Sequence, residues 1–193
     1  MHRTLKVTAA AVAGLAVALV AGLAVAKSFT LKVARNVHVI NTSLPASLRA
    51  KAVDTHEAVA VGPKGYAVYT FQGETTHHLI CKRTSDAATD CWAFWPPVTV
   101  RSAKALSAQK GIKGKLATFK NHGLRQLTLG GRPLYYFTPD LASKNKQQAM
   151  GDELKTFGST WHIVKAGSSS KSGNAGSTSS TTMPTTTTVP YGY

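Results

Sequence analysis

One stretch of this chain occurs twice. Val68-Tyr69-Thr70-Phe71-Gln72-Gly73-Glu74 is echoed by Leu134-Tyr135-Tyr136-Phe137-Thr138-Pro139-Asp140. Each copy reads apolar residue, Tyr, any residue, Phe, two turn-tolerant residues, carboxylate. The offset from Tyr69 to Tyr135 is 66 residues, and the same offset carries Trp95 onto Trp161. Two matches in phase predict a duplicated unit. Side chains alternate along a strand, so Tyr69 and Phe71 share one face, as do Tyr135 and Phe137. Large rings dominate the cores of small domains, so these four aromatics are expected to pack together, with Trp95 and Trp161 over the strand pairs. A paired aromatic platform open to a ligand is the competing expectation. Glu74 and Asp140 each follow a strand, where a carboxylate commonly accepts backbone N–H groups of a turn. Acid–base catalysis would instead require the two to converge in a cleft with displaced pKa values.

The rest of the chain carries short-period patterning. Phe29, Leu31 and Val33, continued by Val37 and Val39, alternate as in a strand or an extended lead-in. Ile40 to Val53 reads mostly as loop, and its Asn41-Thr42-Ser43 matches the glycosylation sequon. His56 to Phe71 reads as a hairpin turning at Gly62-Pro63-Lys64-Gly65. Pro96-Pro97 forbids helix, so Val98-Thr99-Val100 is expected to be a short strand whose entry the prolines fix. Ala103, Ala105, Leu106 and Ala108 suggest about two turns of helix before Gly111. Leu116 to Phe119 and Leu124 to Leu129 read as a second hairpin about Asn121-His122-Gly123. Trp161 to Val164 is the last strand. The expected fold is therefore mostly β, with two tandem repeats at about 56–100 and 116–164 forming one small domain over 56–166. A lead-in over 27–55 precedes it. The Ser, Thr, Gly and Pro of 167–193 cannot bury enough surface to offset ordering entropy, so a disordered tail is expected.

Arg3 and Lys6 precede a nearly unbroken apolar run from Val7 to Ala26, and Ala24-Val25-Ala26 is a small-x-small cleavage pattern. This predicts a signal peptide over 1–26; an uncleaved anchor is the alternative, since the run is long enough to span a bilayer. No cysteine lies near the end of the run, which excludes lipid attachment there. The chain has 2 cysteines, Cys81 and Cys91. An isolated pair in an exported protein reads as one disulfide closing a small loop. A metal site would need more soft ligands and a different spacing.

The formal net charge is +15, from 23 Lys+Arg against 8 Asp+Glu. Such an excess favours anionic partners and solubility, and says nothing about fold. Its densest run is Arg101, Lys104, Lys110, Lys113, Lys115 and Lys120, with mostly small residues between. That composition suits salt-sensitive contact with a polyanion. It lacks the interleaved aromatics of a single-strand nucleic-acid groove, which counts against sequence reading. Adjacent His77 and His78 point to opposite faces of an extended segment and do not chelate together. No Ser-His-Asp spacing, phosphate-binding glycine loop, His-Glu-x-x-His or haem-attachment motif is present. Neither a cofactor nor a metal is expected.

The two Tyr motifs, the Cys81…Cys91-Trp92-Ala93-Phe94-Trp95-Pro96-Pro97 element, Gly130-Gly131-Arg132-Pro133-Leu134 and Trp161-His162-Ile163-Val164 together resemble a family of bacterial secreted repeats. Its members are predicted lipoproteins or secreted proteins of unknown function with a Tyr-x-(Phe/Trp/Tyr)-x-x-Asp motif. The resemblance covers about 56–166 and implies export and a repeat, with no established reaction. Glu74 departs from the motif's Asp, and the lipid-bearing cysteine of many members is missing. The expectation is an exported cell-envelope or secreted non-enzymatic module that binds an anionic cell-wall polymer or membrane surface through its basic charge. An envelope redox or metal-handling protein, using the histidines and the Tyr-x-Phe motifs, is the alternative.

Overall fold

The computed structural model describes residues 28–167. The segments expected to be a signal peptide or anchor, over 1–26, and a disordered tail, beyond Gly167, lie outside the described residues. In chain order the strands are β1 (Lys32–Ile40), β2 (Asp54–Val61), β3 (Tyr69–Phe71), β4 (Leu116–Asn121), β5 (Leu124–Leu129), β6 (Arg132–Pro133), β7 (Gln148–Ala149), β8 (Lys155–Thr156) and β9 (Ser159–Ile163). Two short helices, α1 (Cys91–Phe94) and α2 (Thr138–Ser143), interrupt them. The fold is mostly β, in three small sheets ordered β2-β1-β7, β3-β9-β8 and β4-β5-β6.

Turn chemistry sets the second hairpin. His122 and Gly123 both have positive φ, at 48° and 78°, between paired Asn121 and Leu124. Two such residues form the mirror-image turn whose twist matches the flanking strands. The first hairpin is formed only around its tip, where Gly62 N–H donates to the Tyr66 carbonyl and Val68 N–H to that of Ala60. Beyond the tip the two arms separate. β2 pairs along its length with β1, and β3 pairs with β9.

Residues 27–55, expected to be a lead-in outside the domain, contain β1, the middle strand of the first sheet. The domain therefore begins well before His56, a boundary that falls inside β2. The even alternation expected from Phe29 to Val39 also fails. Ala34 opposes Val59 and Val37 opposes Glu57, so one extra residue is accommodated in β1, and Asn36 there has φ 55°. A bulge of this kind shifts side chains to the opposite face. Leu31 accordingly lies in one core cluster and Val37 and Val39 in another. The helix expected at 103–108 is absent. Ala105 has φ 57°, and Ala108 bridges Leu31 while the Ser107 carbonyl accepts from Thr30 and Leu31. Pairing with the start of β1 satisfies backbone groups that a helix would otherwise have satisfied internally.

The two halves use matching pairings. Tyr69 and Tyr135 exchange both backbone hydrogen bonds, at 2.9 and 3.0 Å. Tyr69 opposes Ile163 and Tyr135 opposes Pro97, while Val164 N–H donates to Val68 and Val98 N–H to Leu134, each at 2.9 Å. Every member of these pairs maps onto its counterpart at the 66-residue offset, which is the pattern of a local two-fold axis through the Tyr69–Tyr135 pair. Both central segments are buried on both faces. An aromatic cluster with Tyr69, Phe71, Trp95, Tyr135, Phe137 and Trp161 covers one side. An aliphatic one with Leu31, Val68, Val98, Leu127 and Leu134 covers the other.

Candidate functional site

The sequence motifs converge on one place. Trp95 and Trp161 stack at 3.8 Å between ring centroids, 5° from parallel. Phe71 stacks on the outer face of Trp161 at 4.2 Å and Phe137 on that of Trp95 at 4.3 Å. Each tyrosine meets its own half's tryptophan edge-on, Tyr69 to Trp95 at 5.4 Å and Tyr135 to Trp161 at 5.3 Å. The edge contacts are among the arrangements that ring quadrupoles favour, and the close stacks add dispersion contact over whole ring faces. Exposure is 0% for both tryptophans and both motif tyrosines, 1% for Phe71 and 5% for Phe137. The rings therefore form no open platform. At roughly 25 cal/mol per Å2 over about 150–250 Å2, each ring contributes on the order of 4–6 kcal/mol, an upper figure.

The two carboxylates are buried on opposite partners. The Tyr69 hydroxyl donates to Asp140 Oδ2 at 2.6 Å and accepts the Gly151 N–H at 3.2 Å. Asp140 Oδ1 also accepts the Met150 N–H at 2.8 Å. Burial pushes the Asp140 carboxyl up to about 6, against the pull of the Tyr69 and Met150 bonds. Glu74 Oε1 accepts the consecutive N–H groups of Ile80 and Cys81, both at 2.9 Å. Burial raises its pKa too, with those amides and the nearby Tyr135 hydroxyl opposing. Burial and the neighbouring carboxylates hold Tyr69 and Tyr135 above the usual phenol range, so both stay protonated. Each carboxylate ties the loop that follows it to the aromatic core, and both lie inside the packed interior.

Cys81 and Cys91 form a disulfide that closes the polar loop after Glu74. Asp90 caps α1 by accepting the Trp92 N–H at 3.1 Å. His77 and His78 are exposed in the same loop. Asn41 of the sequon is 0% exposed. Its amide donates to the carbonyls of Lys51 and Asp152, and its carbonyl oxygen accepts the Val53 N–H. A glycan has no access to that side chain in the folded chain. Asp152 and Glu153, which sequence reading did not single out, and His162 place one potential ligand atom each within 4.8 Å of one another. Their spacing of nine residues across the β8–β9 turn resembles no metal motif, and internal bonds already engage them. Asp152 Oδ1 accepts the Ile163 N–H at 2.8 Å, and His162 Nδ1 lies 3.2 Å from Glu153 Oε1.

The basic run stays on the surface. Arg101, Lys104, Lys110, Lys113, Lys115 and Lys120 are all exposed, and none forms an ion pair among the described residues. Between the cysteine loop and the β8–β9 turn lies a cleft of about 710 Å3, walled by Ile80, Cys91, Phe94 and Phe157, with Lys82 and Lys155 also lining it. Sequence reading had no signal for this cleft, because its walls are contributed by loops far apart in the chain. Comparison of the chain with protein-family models, with curated proteins and with solved structures finds no match.

Proposed function

We propose that the chain is an exported, non-enzymatic module of the cell envelope or its surroundings, held to an anionic polymer by charge. The observation that carries this reading is the fate of the carboxylates, of which the sequence has 8. Glu74, Asp140 and Asp152 are buried. Asp86 and Asp90 accept backbone N–H groups of the cysteine loop. Asp54, Glu57 and Glu153 are engaged by His38, Lys165 and His162. With 23 Lys+Arg against 8 Asp+Glu, three of them buried, few carboxylates stand among the surface lysines and arginines, so the positive field extends outward over roughly a Debye length, about 8 Å at physiological salt. Contacts of this type release counterions from a polyanion and weaken as salt rises.

Export is supported by the disulfide, since such bonds persist in oxidising compartments. Duplication of one β unit, as in the secreted-repeat family that the motifs resemble, belongs to the same proposal. Its support is the matched pairing at the 66-residue offset. The mature protein is expected to be retained on immobilised polyphosphate and released at moderate salt. Replacing Lys104, Lys110, Lys113 and Lys115 with Gln lowers the salt needed. Retention that is indifferent to ionic strength, or unchanged in that variant, removes the charge argument.

A further inference from the structure

The cleft beside the cysteine loop plays no part in the charge reading. Among the described residues, Leu48, Phe94 and Leu124 are the large hydrophobic side chains left exposed, and Leu48 and Phe94 both line this cleft. Phe157 packs against Phe94 at 6.1 Å between centroids, so the apolar wall joins residues from both halves. A concave apolar surface of several hundred Å3 with a few polar groups is the usual form of a small-molecule site.

The charged groups in the wall all have one sign. Lys82 and Lys155 supply ammonium groups, and no carboxylate lines the cleft. The nearby Asp86 and Asp90 carboxylates are turned to the backbone of their own loop. The hydroxyls of Thr84 and Thr89 bond to each other and to the Asp86 carbonyl. Thr156 differs. Its hydroxyl oxygen accepts both indole N–H groups of the tryptophan stack, from Trp95 at 3.2 Å and from Trp161 at 3.0 Å. A hydroxyl has two lone pairs and one proton. With both lone pairs occupied, Thr156 retains only a donor, and no protein atom among the described residues accepts it. The tryptophan stack thereby fixes the hydrogen-bonding polarity of a residue in the cleft wall.

We propose that this cleft binds a single-chain carboxylate amphiphile, its acyl tail against Leu48, Phe94 and Phe157 and its head toward Lys82, Lys155 and the Thr156 hydroxyl. An oxyanion is the head group that accepts from two ammonium groups and a donor-only hydroxyl, and charge-assisted bonds of this kind are the stronger class. A polymer of fixed charges has no apolar tail to place against the phenylalanines, so this site and the polyanion-binding surface are separable.

The test is calorimetric titration of the mature protein with dodecanoate below its aggregation concentration, beside dodecanol and dodecyltrimethylammonium. Dodecanoate is expected to saturate one site per chain, about ten-fold more tightly than the cationic amphiphile, as two partly exposed charge pairs imply. Lys82→Glu combined with Lys155→Glu should reverse that order, and Phe157→Asp should abolish binding of all three. Lys82 and Lys155 are exposed, whereas Phe157 packs against the edge of the aromatic core, so circular dichroism of each variant checks that the fold persists. Excess polyphosphate should leave dodecanoate binding in place. Absence of saturable binding overturns the proposal, as does equal affinity for the three amphiphiles or a wild-type order in the charge-reversed variant. Displacement by polyphosphate overturns it as well, since it would assign the binding to surface charge alone.

Discussion

Tyr69 and Tyr135 stand in equivalent places, each edge-on to its own tryptophan and each beside the other half's carboxylate, yet the two pairs differ. Tyr69 and Asp140 are joined at 2.6 Å. The Tyr135 hydroxyl and Glu74 Oε2 are buried without a hydrogen-bond partner. The loops behind them differ in the complementary sense. After Glu74 the chain is closed by the Cys81–Cys91 bond, and two successive amides of that loop hold the carboxylate. After Asp140 there is no cysteine: Gln147 and Phe157 occupy the corresponding positions, and one amide, that of Met150, reaches the carboxylate. Where a covalent bond pins the loop, amides of that loop hold the carboxylate and the tyrosine hydroxyl stands off it. Where none does, the tyrosine–carboxylate bond takes over the pinning. The comparison teaches that one aromatic core accepts either device.

The sharpest way to break the comparison is to remove its shared part. Trp95→Ala and Trp161→Ala should each cost roughly 3–5 kcal/mol, because both rings are fully buried and leave a cavity. Denaturant unfolding checks this, and a cost for one less than half that for the other would end the claim of equivalence.

The next effect separates the halves by pH. Asp140 is raised from 3.8 to about 6 in the fold. Folding therefore favours protonation of this carboxyl relative to the unfolded chain. Its contribution to stability is complete below the unfolded value and is lost as pH rises through about 6. That displacement corresponds to roughly 3 kcal/mol. Denaturant midpoints of the wild type should accordingly fall relative to those of Asp140→Asn between about pH 4 and about pH 7. Parallel pH profiles for the two proteins would show that burial of Asp140 does not govern its protonation.

The smallest effect tests the tyrosines directly. Tyr69→Phe leaves Asp140 and the Gly151 N–H short of a partner, and is expected to cost about 2 kcal/mol. Tyr135→Phe removes a hydroxyl that has no partner, and is expected to change stability by less than about 0.5 kcal/mol or to raise it. Equal losses in thermal or denaturant unfolding would mean that the Tyr135–Glu74 pair is closed in solution.

Much of this arrangement is legible in the residues. The doubled Tyr-x-Phe segment and the tryptophans in phase locate the aromatic core, because alternation along a strand is a local property. Asn121-His122-Gly123 locates the second hairpin, because positive φ is written in residue type. Three other readings miss because non-local pairing overrides local preference. Asn36 interrupts an alternation that looks continuous. Residues 103–108 have helix-forming alanines but are claimed by the start of β1. Asn41 matches a sequon but serves as a buried hydrogen-bond hub.

By itself the sequence determined which residues are large, which turn and which carry charge. It therefore specified the aromatic positions, the cysteine pair and a surface with too few carboxylates to neutralise its lysines. Tertiary structure decided which residues face one another: the crossing of Tyr69 to Asp140, the inclusion of β1 in the first sheet, and the cleft between loops more than sixty residues apart. The physical reason is that φ preference and alternation act over a few residues. Burial and hydrogen-bond satisfaction are settled only when distant segments compete for the same partners.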